Sequence, residues 1–160
     1  MNLTTIFALL VIYQLKHFIA DYPLQANQYM LGKFKPGWDF LGPLSCHAAV
    51  HGVLTWMIAI GMTHDIRLAG TLMCFDATVH FCMDRIKAGP KYMGRWKPVT
   101  GKEYVELQEA LRVFPRGSVF ADLAYRRLRS NTLFWWSLGF DQMVHHLTHY
   151  ACIYVIVKGV

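Results

Sequence analysis

The sequence predicts an all-α, polytopic membrane four-helix bundle, on three observations. First, 54% of the residues are hydrophobic and mean hydropathy is +0.26, although 16% are charged. Second, the apolar residues gather into four stretches, 3–20, 43–62, 66–86 and 132–157. Each is about long enough to cross a hydrocarbon layer of ~30 Å. Third, histidine and aspartate recur four residues apart in or beside every stretch, so each helix carries a polar stripe on one face. At 160 residues the chain fits one integral membrane domain, 1–160, with a basic insertion at 88–131.

The first stretch is the shortest and holds Gln14, Lys16 and His17. It lacks a basic leader and a small-residue cleavage site, which predicts a retained helix. It breaks at Asp21-Tyr22-Pro23, because the residue before a proline disfavours helix. The connection 24–42 carries Lys33, Lys35 and Trp38 without strong periodicity. The second stretch opens at Pro43, a good first-turn residue. Its Ala48 and Gly52 form a small-xxx-small step that lets a neighbouring helix come close. Only a turn at His64-Asp65 precedes the third stretch, which predicts an antiparallel hairpin.

In the insertion, Thr100 and Glu103 have capping-box spacing ahead of a short helix at 104–113. Residues 118–129 predict a second, separate one, with Phe120, Leu123, Ala124 and Leu128 opposed by Arg126, Arg127 and Arg129. A basic amphipathic helix between spans is expected to lie on anionic lipid headgroups. Nucleic acid is disfavoured as a partner, because no base-reading motif accompanies these arginines. A homo-oligomer is compatible with the sequence. Of 16 Lys and Arg residues, the 24–42 loop holds two and the 85–129 region eleven. Four spans place both regions on one face. The positive-inside rule makes that face cytoplasmic, with both termini periplasmic, in a bacterial inner membrane.

The polar stripes carry the chemistry. They are His17 and Asp21, then His47 and His51, then Asp76, His80 and Asp84, then Asp141, His145 and His149. Counted along the helices from the cytoplasmic ends, most of these lie ~6–14 Å deep. Each could make an isolated interhelical hydrogen bond. Four helices bringing such groups to one depth instead predict a divalent metal site. Imidazole and carboxylate donors without thiolate suit zinc, manganese or iron, with zinc favoured. The donors exceed one tetrahedral shell, so two carboxylate-bridged ions are expected. Asp76 and His149 lie deepest, either as ligands or as groups that orient a ligand.

Asp84 and Asp141 are the candidate general bases, and Lys33 and Lys87 the candidate phosphate contacts. His146 lies off its stripe and is expected to be a packing or interfacial residue, and His64, in a turn, is expected to be solvated. Cys46, Cys74, Cys82 and Cys152 are expected to be buried reduced thiols, with Cys46 or Cys82 as a ligand the less favoured option.

His17-x-x-x-Asp21-Tyr22-x-Leu24-Gln25 followed by Lys33 resembles the opening of domain of unknown function 3307, a family of small bacterial and phage inner-membrane proteins. His47-x-x-x-His51, His80-x-x-x-Asp84-x-x-Lys87 and Asp141-Gln142-x-x-His145 resemble its remaining signatures, in order. More loosely, the arrangement is similar to LexA-regulated membrane-bound metal-dependent hydrolases. That similarity implies hydrolysis. The expected function is a metal-dependent hydrolase acting on a lipid or lipid-linked phosphate or ester at the cytoplasmic leaflet. The alternative is a non-enzymatic, metal-stabilised membrane protein that binds or alters a host membrane partner.

Overall fold

The computed structural model describes residues 2–159. The chain is helical throughout its ordered elements. Helix α1 is Leu3–Asp21, α2 Leu41–Thr63, α3 Ile66–Ala88, α4 Gly101–Val113 and α5 Val119–Gly159. Local chemistry sets the ends. The Asn2 side chain accepts a hydrogen bond from the Thr5 amide at 2.9 Å and starts α1. The helix stops one residue short of Tyr22-Pro23. His64 adopts the left-handed conformation, φ 53°, which turns the chain sharply after α2. Asp65 then caps α3, accepting from the Arg67 and Leu68 amides at 2.8 and 3.1 Å.

α1, α2, α3 and the C-terminal part of α5 form the bundle, with α2 and α3 an antiparallel pair. Gly52 permits that pair's close approach: a Cβ there would stand 2.8 Å from the Met73 carbonyl oxygen and 3.0 Å from the Ala77 Cβ. The interior has two halves. Leu9, Tyr13, Ala59, Leu72, Cys152 and Ile156 fill one end with apolar contact. At the other end the buried groups are mostly histidine, aspartate and lysine. Outside, the pattern is reversed, since Phe7, Leu15, Phe18, Met57, Trp136 and Leu147 are exposed.

Four features differ from the sequence expectation. Residues 118–129 and the fourth stretch are one helix of 41 residues, about 60 Å long at 1.5 Å per residue. No proline or glycine lies between Val119 and Leu138 to end it, so a change of composition at Ser130-Asn131 does not break the backbone. Arg126, Arg127 and Arg129 therefore stand on an extension of α5, against which α4 packs. Second, α4 starts at Gly101 rather than 104. The Thr100 hydroxyl caps it at 3.2 Å from the Glu103 amide. The Glu103 carboxylate, however, goes to Arg127 (2.7 Å) instead of back to the cap. Third, only Cys152 is buried; Cys46, Cys74 and Cys82 face outward, because each lies off its helix's inward stripe. Fourth, by length and composition two helices, α1 and α2, are apolar enough to cross a membrane.

The helix contact at Gly52 is testable. Gly52→Val should lower stability by about 1–3 kcal/mol through overpacking against α3, measured as a lower melting temperature in detergent. Gly61→Ala, on the same helix in open space, should be neutral or stabilising.

Candidate metal centre

Each bundle helix turns its polar stripe inward at the same end. From α1 come His17 and Asp21, from α2 His47 and His51, from α3 Asp76, His80 and Asp84, and from α5 Asp141, His145 and His149. Except for Asp21, which is partly exposed, all are buried. Their imidazoles stack: His51 and His80 lie 3.7 Å apart by ring centroids, and His80 and His145 4.1 Å apart. His17 faces this stack, 5.6 Å from His51 and 5.3 Å from His145.

The ring-nitrogen to carboxylate distances are informative. His17 Nε2 is 3.2 Å from Asp21 Oδ2, and His51 Nε2 3.0 Å from Asp21 Oδ1. His47 Nε2 lies between Asp84 Oδ2 (3.1 Å) and Asp21 Oδ1 (3.4 Å). His145 Nε2 is 3.3 Å from both Asp84 Oδ1 and Asp141 Oδ1. Two donors held ~2.0–2.1 Å from a tetrahedral zinc-sized ion stand ~3.3 Å apart. Hydrogen bonding accounts for the His51–Asp21 contact but not for all of them. His47 Nε2 and Asp141 Oδ1 are buried and have no hydrogen-bond partner despite these neighbours. Buried polar groups normally find partners, so these two atoms are open to a further ligand such as a cation.

Three groups bring their donor atoms within 4.8 Å of one another: His17, Asp21 and His51; Asp84, Asp141 and His145; and His17, His80 and His149. These buried clusters could hold a metal ion. His47 is in none of the three, although it sits between the first two. Asp76 is in none either; its Oδ2 accepts from the Lys16 ammonium at 2.5 Å and the Thr55 hydroxyl at 2.6 Å. Its Oδ1 lies 3.1 Å from His80 Nδ1, which also bonds the Asp76 carbonyl.

A cleft of about 310 Å³ reaches this centre, lined by Asp21, Asp84, Asp141, Lys33, Lys87 and Gln142, with Phe34 and Phe134 among its apolar walls. Lys33 is buried there on a short 3-10 turn, Met30–Phe34. Its ammonium donates to Asp84 at 2.7 Å and to Gln25 Oε1 at 2.6 Å. Two of its three N–H groups are thus engaged within the protein. Lys87 lies 4.5 Å over the Phe134 ring. A larger cavity of about 480 Å³, beside Trp38, Phe40, Arg85 and Tyr92, contains none of the donors. His146 stays outside the clusters, 3.2 Å from Gln14, and His64 is exposed in its turn.

Sequence spacing missed Lys16, Thr55, Gln25 and Gln142. Gln142 contacts His17 Nε2 at 3.3 Å and donates to Asp141 at 3.1 Å. A buried lysine within an apolar stretch was the available signal for Lys16.

No family model, no curated protein and no solved structure matches the chain. Fold and site together define an all-helical protein with buried His/Asp clusters suited to a metal ion.

Added zinc should therefore raise the melting temperature. Saturation to a hundred times Kd stabilises by ~2.7 kcal/mol, a rise of several degrees. His145→Gln should remove much of that rise. An unchanged melting curve on adding and chelating metal would count against the site.

Proposed function

We propose that the protein is a metal-dependent hydrolase embedded in a bacterial or phage-modified inner membrane, acting on a lipid or lipid-linked phosphate or ester at the cytoplasmic leaflet. The observation that carries the reading is the pairing of charges. Of four inward carboxylates, Asp76 is covered by Lys16 and Asp84 by Lys33. Asp21 and Asp141 have no ammonium partner: Asp21 meets imidazoles, and Asp141 meets His145 and the Gln142 amide. One such carboxylate lies in each of two donor groups, which suits two divalent ions, with zinc favoured by the imidazole content.

The membrane reading has α3 and α5 cross beside α1 and α2. It is supported by a charged interior within an apolar exterior, the reverse of a water-soluble protein. Polar groups of the centre are what lower the hydropathy of the two further helices. The basic loops would then be cytoplasmic. Kinship with domain of unknown function 3307 remains part of the proposal and rests on the motifs.

A bound divalent ion would lower the pKa of its water toward ~7 and polarise the scissile bond. Water adds across that bond: its hydroxyl goes to phosphorus or the acyl carbon, and its proton to the leaving oxygen. Asp84 and Asp141, at the cleft, accept and pass on that proton. Lys87 and the remaining N–H of Lys33 hold an anionic headgroup. The apolar walls at Phe34 and Phe134 take the chain beside it.

Asp84→Asn keeps the shape and an oxygen donor while removing basicity. It should lower lipid turnover about a hundredfold or more, with fold and most metal retained, as read by mass spectrometry of lipid extracts. Identical lipid profiles for cells with the wild-type protein, the variant and no protein would sink the hydrolase and favour a metal-clamped interaction protein.

Topology has its own test. In a background free of native cysteines, Ser130→Cys should react with a membrane-impermeant maleimide only after cells are opened. Labelling of intact cells would invert the assignment.

A further inference from the structure

The third donor group, His17, His80 and His149, lies deepest, where the centre meets the apolar half of the bundle. It differs from the other two in containing no carboxylate and in having an ammonium group beside it. Lys16, from α1, is 4% exposed. Its Nζ lies 2.5 Å from Asp76 Oδ2 and 3.4 Å from His149 Nε2. Thr55 from α2 donates to the same Asp76 oxygen at 2.6 Å. Asp76 Oδ1 approaches His80 Nδ1 at 3.1 Å. All four bundle helices thus contribute to a buried cluster organised about one positive charge.

We infer that the Lys16 ammonium fills the innermost cation position of the centre, standing where a third metal ion would otherwise sit. This rests on the metal reading of the two outer groups, but not on hydrolysis. A carboxylate oxygen and an imidazole nitrogen facing one cation are what a metal shell also provides. An ammonium takes them as acceptors instead, since it carries three donors and no lone pair. It is the charge partner of Asp76, whereas Asp21 and Asp141 have no ammonium partner. The nearby positive charge also opposes a dication among His17, His80 and His149. Metal is thereby confined to the cleft end, where substrate and water can reach it. Lys16 is a specificity-determining residue for how many ions bind and where.

The inference predicts gain of a site by deletion. Lys16→Met removes the charge and nearly preserves the chain length, leaving Asp76 uncompensated beside three imidazoles. Purified in detergent with chelator, the variant should melt below wild type, because removing one partner of a buried pair leaves an isolated charge. Zinc should restore it and bind in one more equivalent per chain than in wild type, by elemental analysis after desalting. Equal zinc content in the two proteins would overturn the inference, whatever the wild-type value. A second variant decides the matter if Lys16→Met does not fold. His149→Ala should keep the full wild-type zinc content, since its group holds no metal; loss of one equivalent would show that a metal, not Lys16, occupies the innermost position.

Discussion

The structure depends on four inward carboxylates, three of them buried and Asp21 partly so, and six buried imidazoles inside a bundle with many apolar side chains on its surface. Taking an unpaired charge out of water costs several kcal/mol even after relaxation. Two of the carboxylates meet that cost through lysine, Asp76 with Lys16 and Asp84 with Lys33. For Asp21 and Asp141 the chain supplies imidazoles and, at Asp141, the Gln142 amide, but no ammonium. The helices are held close, by Gly52 between α2 and α3 among other contacts, so the charges cannot relax apart. A cation in each outer group would resolve the conflict, and ring nitrogens 3.0–3.4 Å from carboxylate oxygens could share one.

Position along the bundle then orders the chemistry. One end of the bundle is filled by Leu9, Leu72 and Ile156. It meets the imidazoles where Tyr13 packs on His149, at 5.3 Å between ring centroids, beside the Lys16–Asp76 pair. Next come the outer donor groups, and beyond them a cleft whose walls mix Lys33 and Lys87 with aromatic side chains. An amphiphile with an anionic head matches that order from head to chain. The α4–α5 extension is a separate unit, tied by Arg127 to Glu103 and to the carbonyls of Lys97 and Pro98.

Much of this was legible in the spacing. An i, i+4 stripe fixes which residues share a helix face, so His17 with Asp21, His47 with His51, and Asp141 with His145 could be paired before any coordinates. Matched depth followed from counting residues. Relations between helices were not legible, because spacing leaves each helix's rotation and its partner undefined. Lys16 lies ~100° from His17 around α1 and so fell off the stripe, yet both face inward. Lys33 could be placed near the site but not in an ion pair with Asp84, since a 3-10 turn buries it there. The continuity of α5 was hidden because hydropathy changes at Ser130 while helix propensity does not. The exposure of Cys46, Cys74 and Cys82 was missed because an apolar stretch suggests burial for every thiol in it, although each lies off the inward His/Asp stripe.

The central claim is that the inward carboxylates are balanced by bound metal rather than by protons or lysine alone. The most direct measurement is the metal-to-protein ratio of detergent-purified, full-length protein prepared without chelator, by elemental analysis with quantitative amino-acid analysis. The account predicts close to two transition-metal ions per chain, mostly zinc. A ratio near zero, in protein that is folded and remains metal-free after incubation with zinc, would contradict it.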